Sequence, residues 1–156
     1  MVKIKIRIPH YVIATHLAML ALAAATSVHA QLGAAGRAGS ASQDDIMHQA
    51  QGGLVRYHET TDAHGIVVRQ YVDSDGGVYA VSWRGPAMPD VQSLLGEYFD
   101  TFRQGASASI ADAGLHTARV AQGDLVVENR VRLREFSGRA WLASELPPGV
   151  SATDIQ

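Results

Sequence analysis

The chain has 156 residues, no cysteine and a formal net charge of −2. That length suits one domain and not two, and a chain without thiols holds its fold by burial, with no disulfide. The acidic balance excludes a general nucleic-acid binder, which needs a concentrated basic face against phosphate.

Lys3, Lys5 and Arg7 precede an apolar run, Val12 to Ala25, broken only by Thr15 and His16; Val28 and Ala30 then stand at the small-residue positions before Gln31. A positive start, an apolar middle and a small-residue end make residues 1–30 a secretory signal peptide cleaved before Gln31. The run is shorter than the roughly 20 apolar residues that cross a bilayer, so no stable membrane insertion is expected after cleavage. With no cysteine for a lipid anchor and no paired arginines for the twin-arginine route, the general secretory route is expected, ending in the periplasm or outside the cell. Processing would leave ten basic side chains, all Arg, against 15 acids, a net charge of −5.

Residues 31–53, rich in Ala, Gly, Ser and Gln, read as a flexible leader with a short helical turn near Asp44 to Gln49. Residues 54–156 read as a single domain. Leu54 to Thr60 and Ile66 to Val72 are strands joined by a turn at Thr61 to Gly65, and Asp73 to Gly77 turns the chain into a third strand, Val78 to Trp83. Pro89 and Asp90 suit the start of a helix. Val91, Leu94, Leu95, Tyr98, Phe99 and Phe102 then recur at helical spacing, with Gly105 as the stop. Gly96, unfavourable inside a helix, is read as a point of close helix–sheet approach. Gly105 to Gly114 reads as a loop. Strands are expected at Asp124 to Glu128 and Arg130 to Phe136, with a turn at Asn129 between them. Gly138 to Ala143 re-enters the sheet after a kink at Gly138, and Leu146 to Gly149 ends regular structure. The order β-β-β-α-β-β is that of an α+β fold: an antiparallel sheet of five to six strands packed by one amphipathic helix.

Several of these segments carry recognisable motifs: V-x-A-V-x-W at Val78 to Trp83, G-P-x-x-P-D at Gly85 to Asp90, L-L-G-x-Y-F at Leu94 to Phe99 and F-S-G-R-A at Phe136 to Ala140. With the strand Val68 to Val72, the Asp75-Gly76 turn and the ending Leu146 to Ile155, the combination resembles a family of small exported proteobacterial proteins of unknown function. The resemblance covers most of the chain after Gly65. Asp75-Gly76-Gly77 departs slightly from the family's turn, and Gln70 stands where an acid is frequent. The resemblance implies export and one compact domain, and brings no activity with it.

Candidate chemistry is sparse. His58, Asp62 and His64 fall in the stretch YHETTDAHG; His58 and His64 are six apart, so this is not the H-E-x-x-H helix motif. A zinc site there needs both histidines to converge across the hairpin with Asp62 or His116 as a third ligand; the competing reading is the polar end of a hairpin. DSDGG lacks the remaining ligands of a calcium loop. No G-x-S-x-G elbow is present, and Glu97 and Asp100 read either as paired carboxylates or as the solvated flank of the helix. No cofactor is indicated.

Two surfaces remain. Arg130, Arg132 and Arg134 alternate with Val131 and Leu133, placing three guanidiniums on one strand face with Arg139 nearby; Arg forks suit carboxylate and phosphate, while Glu128 and Glu135 are available to neutralise them across strands. The stretch Trp83 to Pro89 is a rigid loop at the sheet–helix junction, with Trp83 either exposed for binding or closing the core. The leading expectation is a non-enzymatic exported domain that binds an envelope component or a secreted partner through Trp83, Arg84, Arg130, Arg132 and Arg134. The alternatives are a small metal-dependent or hydrolytic enzyme using the His58–His64 region, and a structural subunit of an envelope assembly.

Overall fold

Period-two patterning builds most of this molecule. The structure is a computed structural model that describes residues 31–34, 46–108 and 117–156. Its strands are β1 (Ile46–Ala50), β2 (Val55–Thr61), β3 (Val67–Val72), β4 (Val78–Gly85), β5 (Thr117–Gln122), β6 (Leu125–Arg132) and β7 (Glu135–Leu142). All seven join one antiparallel sheet in the order β1-β2-β3-β4-β7-β6-β5. The α+β class stands; the strand count is seven rather than five or six, and the order is β-β-β-β-α-β-β-β. The expected turn at Asn129 does not exist. β6 runs through it, pairing Asn129 with Gly138, and the chain reverses at Leu133 and Arg134. Gly138 is no kink either: a Cβ there would stand 2.3 Å from the Trp83 ring, so glycine makes room for the indole.

One face of the sheet is covered, from β3 to β5, by the segment between β4 and β5. It comprises α1 (Val91–Leu95), a tighter turn at Gly96–Tyr98, and α2 (Phe99–Ala108). Asp90 caps α1, its carboxylate accepting from the Ser93 amide at 3.1 Å, which leaves Pro89 just outside the helix. The apolar stripe falls where its spacing predicts: Leu94 and Leu95 are buried, and Val91, Tyr98, Phe99 and Phe102 pack against Val81, Trp83, Val127, Ala140 and Leu142. The helix continues past Gly105, which is buried because a side chain there would meet Val120 of β5 at 2.4 Å. Gly96 marks the break between the two helical pieces rather than an approach to the sheet, with φ +55 and the Gln31 side chain lying over it.

That last contact shows the fold reaching into the stretch expected to be leader. Leu32 is 1% exposed and belongs to the helix-side core. Its amide donates to Leu94 O at 3.0 Å, and Gly33 N donates to Val78 O at 2.9 Å. Further on, β1 adds an edge strand where a helical turn was expected. Composition alone makes this segment look unstructured; one leucine and a few ladder bonds tie residues 31–34 and 46–50 to the fold.

The opposite face is covered in part by the end of the chain. Val150 and Ile155 are buried against Val55, Tyr71, Tyr79, Ala80, Val126 and Trp141, with Leu146 and Ala152 beside them. A capping box at Ser151 and Asp154 shapes this tail into a short turn.

Candidate functional site

Antiparallel register sorts the tail-covered face into cross-strand rows. The innermost is apolar and aromatic: Tyr57, Tyr71, Ala80, Trp141 and Val126 lie side by side. The next is ionic. Glu59, Arg69, Ser82, Arg139, Glu128 and Arg119 face one another across β2, β3, β4, β7, β6 and β5. Within it Arg69 pairs with Glu59 at 2.7 Å, and Glu128 is shared by Arg139 at 2.6 Å and Arg119 at 3.1 Å.

The tail is pinned to this ionic row through its main-chain oxygens. Gln156 O accepts from Arg69 Nη1 and Tyr71 Oη, both at 2.7 Å, and from Ser82 Oγ at 2.9 Å. Arg139 Nη1 donates to the carbonyls of Ala152 and Ile155. These donors hold the tail where charge-assisted hydrogen bonds are worth most, on a half-buried floor. Arg139 also lies over the Trp141 ring, 5.4 Å from its centroid.

Beyond the tail the sheet is open. The third row is Arg84, Ser137, Arg130 and Thr117, guanidinium alternating with hydroxyl across β4, β7, β6 and β5. Together with Arg119, Glu128, Arg139 and the end of the tail, these residues line a cleft of about 640 Å³. Arg84 is tied to Glu135 at 3.0 Å, both well exposed. The side chains of Arg130 and Arg132 are exposed and make no hydrogen bond or ion pair among the described residues. The expected neutralisation by Glu128 and Glu135 therefore falls on other arginines. Counting Arg84, Arg119, Arg130, Arg132 and Arg139 against Glu128 and Glu135, this end of the face is positive by three on a chain whose formal net charge is −2.

Residues 28–155 match the family described as "Protein of unknown function (DUF2844)". The chain belongs to that family. No curated protein and no solved structure matches it.

In this member of the family the sequence-predicted residues separate cleanly. Arg84, Arg130 and Arg139 come together at the cleft, and Arg132 lies one step outward on the same face. Arg134 does not join them on a strand, because it occupies the β6–β7 turn. Trp83 points to the helix side, 2% exposed, and contributes packing; its Nε1 and the neighbouring Asn129 Oδ1 are buried without a partner. His58 sits in mid-strand on the helix side of β2, opposite Gln70. Asp62 serves the β2–β3 turn, its carboxylate accepting from the amides of His64 and Ile66 at 2.8 Å each. Among the described residues no three His, Cys, Asp or Glu side chains group as metal ligands, and His116 lies outside them. Asp100 pairs with Arg103 at 3.1 Å on the exposed helix flank. Ser137 and Thr117, the hydroxyls of the open row, went unnoticed in the sequence; only the register that sets them beside Arg84 and Arg130 could have singled them out.

Proposed function

We propose that this protein is a non-enzymatic exported domain that binds an anionic component of the cell envelope in the arginine cleft. The observation that carries the reading is the open row Arg84, Ser137, Arg130, Thr117. A guanidinium presents a planar fork of donors to a carboxylate or phosphate, and a neighbouring hydroxyl can serve a second oxygen. Strands lie about 4.8 Å apart, so the two guanidiniums, two strands apart, meet groups roughly 10 Å apart along an extended ligand. The carboxylates of the adjoining ionic row are already shared between Arg69, Arg119 and Arg139, so the competitor for the ligand is Glu135, whose exposed pair with Arg84 the ligand must displace. Neither tryptophan is offered as a stacking platform, since Trp83 is buried and Trp141 lies under Arg139. Recognition would then be by charge and hydrogen bonding, and steeply dependent on salt.

The test is titration with two soluble polyanions, polygalacturonate for carboxylates and polyphosphate for phosphates, followed by tryptophan emission, since Trp141 lies beneath a cleft arginine. Binding should weaken as salt rises. Arg130→Glu should lower affinity at least about tenfold, hydrogen bonds to charged groups being worth about 1.5–3 kcal/mol. Binding of neither polymer, or equal binding by Arg130→Glu, refutes the reading.

A further inference from the structure

The row that carries Arg84 and Arg130 also fixes what lies at that end of the sheet. Thr61, Val67, Arg84, Ser137 and Arg130 share one register line. The β2–β3 turn, the loop after β4 and the β6–β7 turn therefore all emerge from the same end. Leu133 forms the tip of the last of these. It is 96% exposed and holds φ +56, a conformation normally left to Gly, Asn or Asp. The loop after β4 adds exposed Pro86, Ala87 and Met88, the last 44% exposed. Around these apolar groups stand Arg84, Arg130, Arg132 and Arg134, the last three with no side-chain hydrogen bond or ion pair among the described residues. The far end of the sheet is the more acidic: its connections carry Asp73, Asp75, Asp124 and Glu145, with Arg56 of β2 beside them, whereas Asp62, Asp90 and Glu135 are the acids at the Leu133 end.

We propose that the Leu133 end docks on an anionic phospholipid surface. Leu133 and Met88 enter the headgroup boundary, while Arg130, Arg132 and Arg134 meet the phosphates. This deepens the cleft reading and rests on it, naming the envelope component as the lipid surface itself. Three features favour a bilayer over a protein partner. The apolar groups sit at the exposed tips of two connections, Leu133 96% and Met88 44% exposed, which suits a deformable interface. Guanidinium forks match phosphate oxygens. The acidic far end would be repelled by the same surface, so the molecule approaches in one orientation. Docking of this kind is peripheral and needs no membrane-spanning segment; no helix among the described residues is long and apolar enough to cross a bilayer.

The experiment uses the form beginning at Gln31, which contains every residue of the described fold, sedimented with vesicles of phosphatidylglycerol and phosphatidylethanolamine or of phosphatidylcholine alone. The protein should bind only the anionic vesicles. Leu133→Asp should reduce that binding at least about tenfold, and so should Leu133→Gly, which removes the side chain while keeping a residue that tolerates the turn. Circular dichroism confirms that each variant is folded, and polygalacturonate and polyphosphate titrations are run in parallel. A protein that binds a soluble polyanion but not the vesicles overturns lipid docking and leaves the cleft reading standing. One that binds neither overturns both. One that binds anionic vesicles equally with and without Leu133 is held by charge alone, and the docking tip is refuted.

Discussion

The two faces of this sheet are covered by different means. On one, a kinked helix lays an apolar stripe over Val81, Trp83, Val127 and Leu142, and Leu32 closes the gap beside it. On the other, a short tail crosses a narrower apolar strip and is held by hydrogen bonds from Arg69, Tyr71, Ser82 and Arg139 to its carbonyls. Burying apolar area stabilises without regard to direction, so the helix face from β3 to β5 is given to stability. The tail face covers only part of itself, and the charged side chains past the tail's edge are left for solvent or a ligand. A fold of this size, with no cysteine, cannot leave both faces open. The asymmetry sets a face closed by apolar burial against one that leaves charged side chains exposed.

The sharpest way to break this division is to damage the helix face. Leu95 is 0% exposed. Leu95→Ala should destabilise the whole domain by about 2–5 kcal/mol, the usual cost of a large-to-small change in a closed core, read from the midpoint of urea unfolding. Arg130→Glu, an exposed change on the other face, should move that midpoint by no more than about 0.5 kcal/mol while affecting binding. If the two variants lose stability equally, the faces do not divide the work as described.

A second test probes the seam where β4 slips in register. Tyr71 pairs with Ala80 and Val72 with Val78, which leaves Tyr79 as an extra residue turned into the tail-side core. Its hydroxyl is buried without a partner, and burial pushes the phenol from 10.0 up to about 12. Because the folded state holds this proton more tightly than the unfolded chain, the contribution is fully present below pH 10 and lost as pH rises toward 12. Stability should fall over that window by at most about 3 kcal/mol. Denaturant titrations at stepped pH check it, with Tyr79→Phe flattening the curve. A wild-type curve that already matches Tyr79→Phe would mean that water reaches the hydroxyl.

How much of this was legible beforehand follows from the physics of each element. The helix stripe from Val91 to Phe102 and the hairpins around Asp62 and Asp73 were readable because local spacing and turn chemistry determine them. β1 and Leu32 were not, since their places come from ladder bonds and one buried side chain in a segment with no pattern of its own. The β6–β7 turn was misplaced for a related reason. Asn129 favours a turn by intrinsic preference, whereas Leu133 does not, and the pairing of Val131 with Phe136 across the hairpin overrode both. The arginines could be identified from sequence, but their partners could not. Glu128 lies two residues from Arg130 along β6, yet it binds Arg139 and Arg119 because these are its lateral neighbours. Register, absent from a linear reading, decides which charges are spent and which are free.

The smallest expected effect lies in the tail itself. Asp154 accepts from the Ser151 amide at 2.7 Å and hydroxyl at 2.8 Å, and from the Gln51 side chain, and these hydrogen bonds hold its carboxyl below the ordinary range. Its contribution is therefore present above the unfolded carboxyl's pKa and is lost only as pH falls through the lowered folded value. Acidification should loosen the tail before the helix face responds. Hydrogen exchange at the amides of Ser151 to Gln156 should quicken while the amides of α2 stay protected, and Asp154→Asn should bring the same loosening at neutral pH. If tail and helix amides open together at every pH, the tail is part of the cooperative core, and the half-covered face is as rigid as the sealed one.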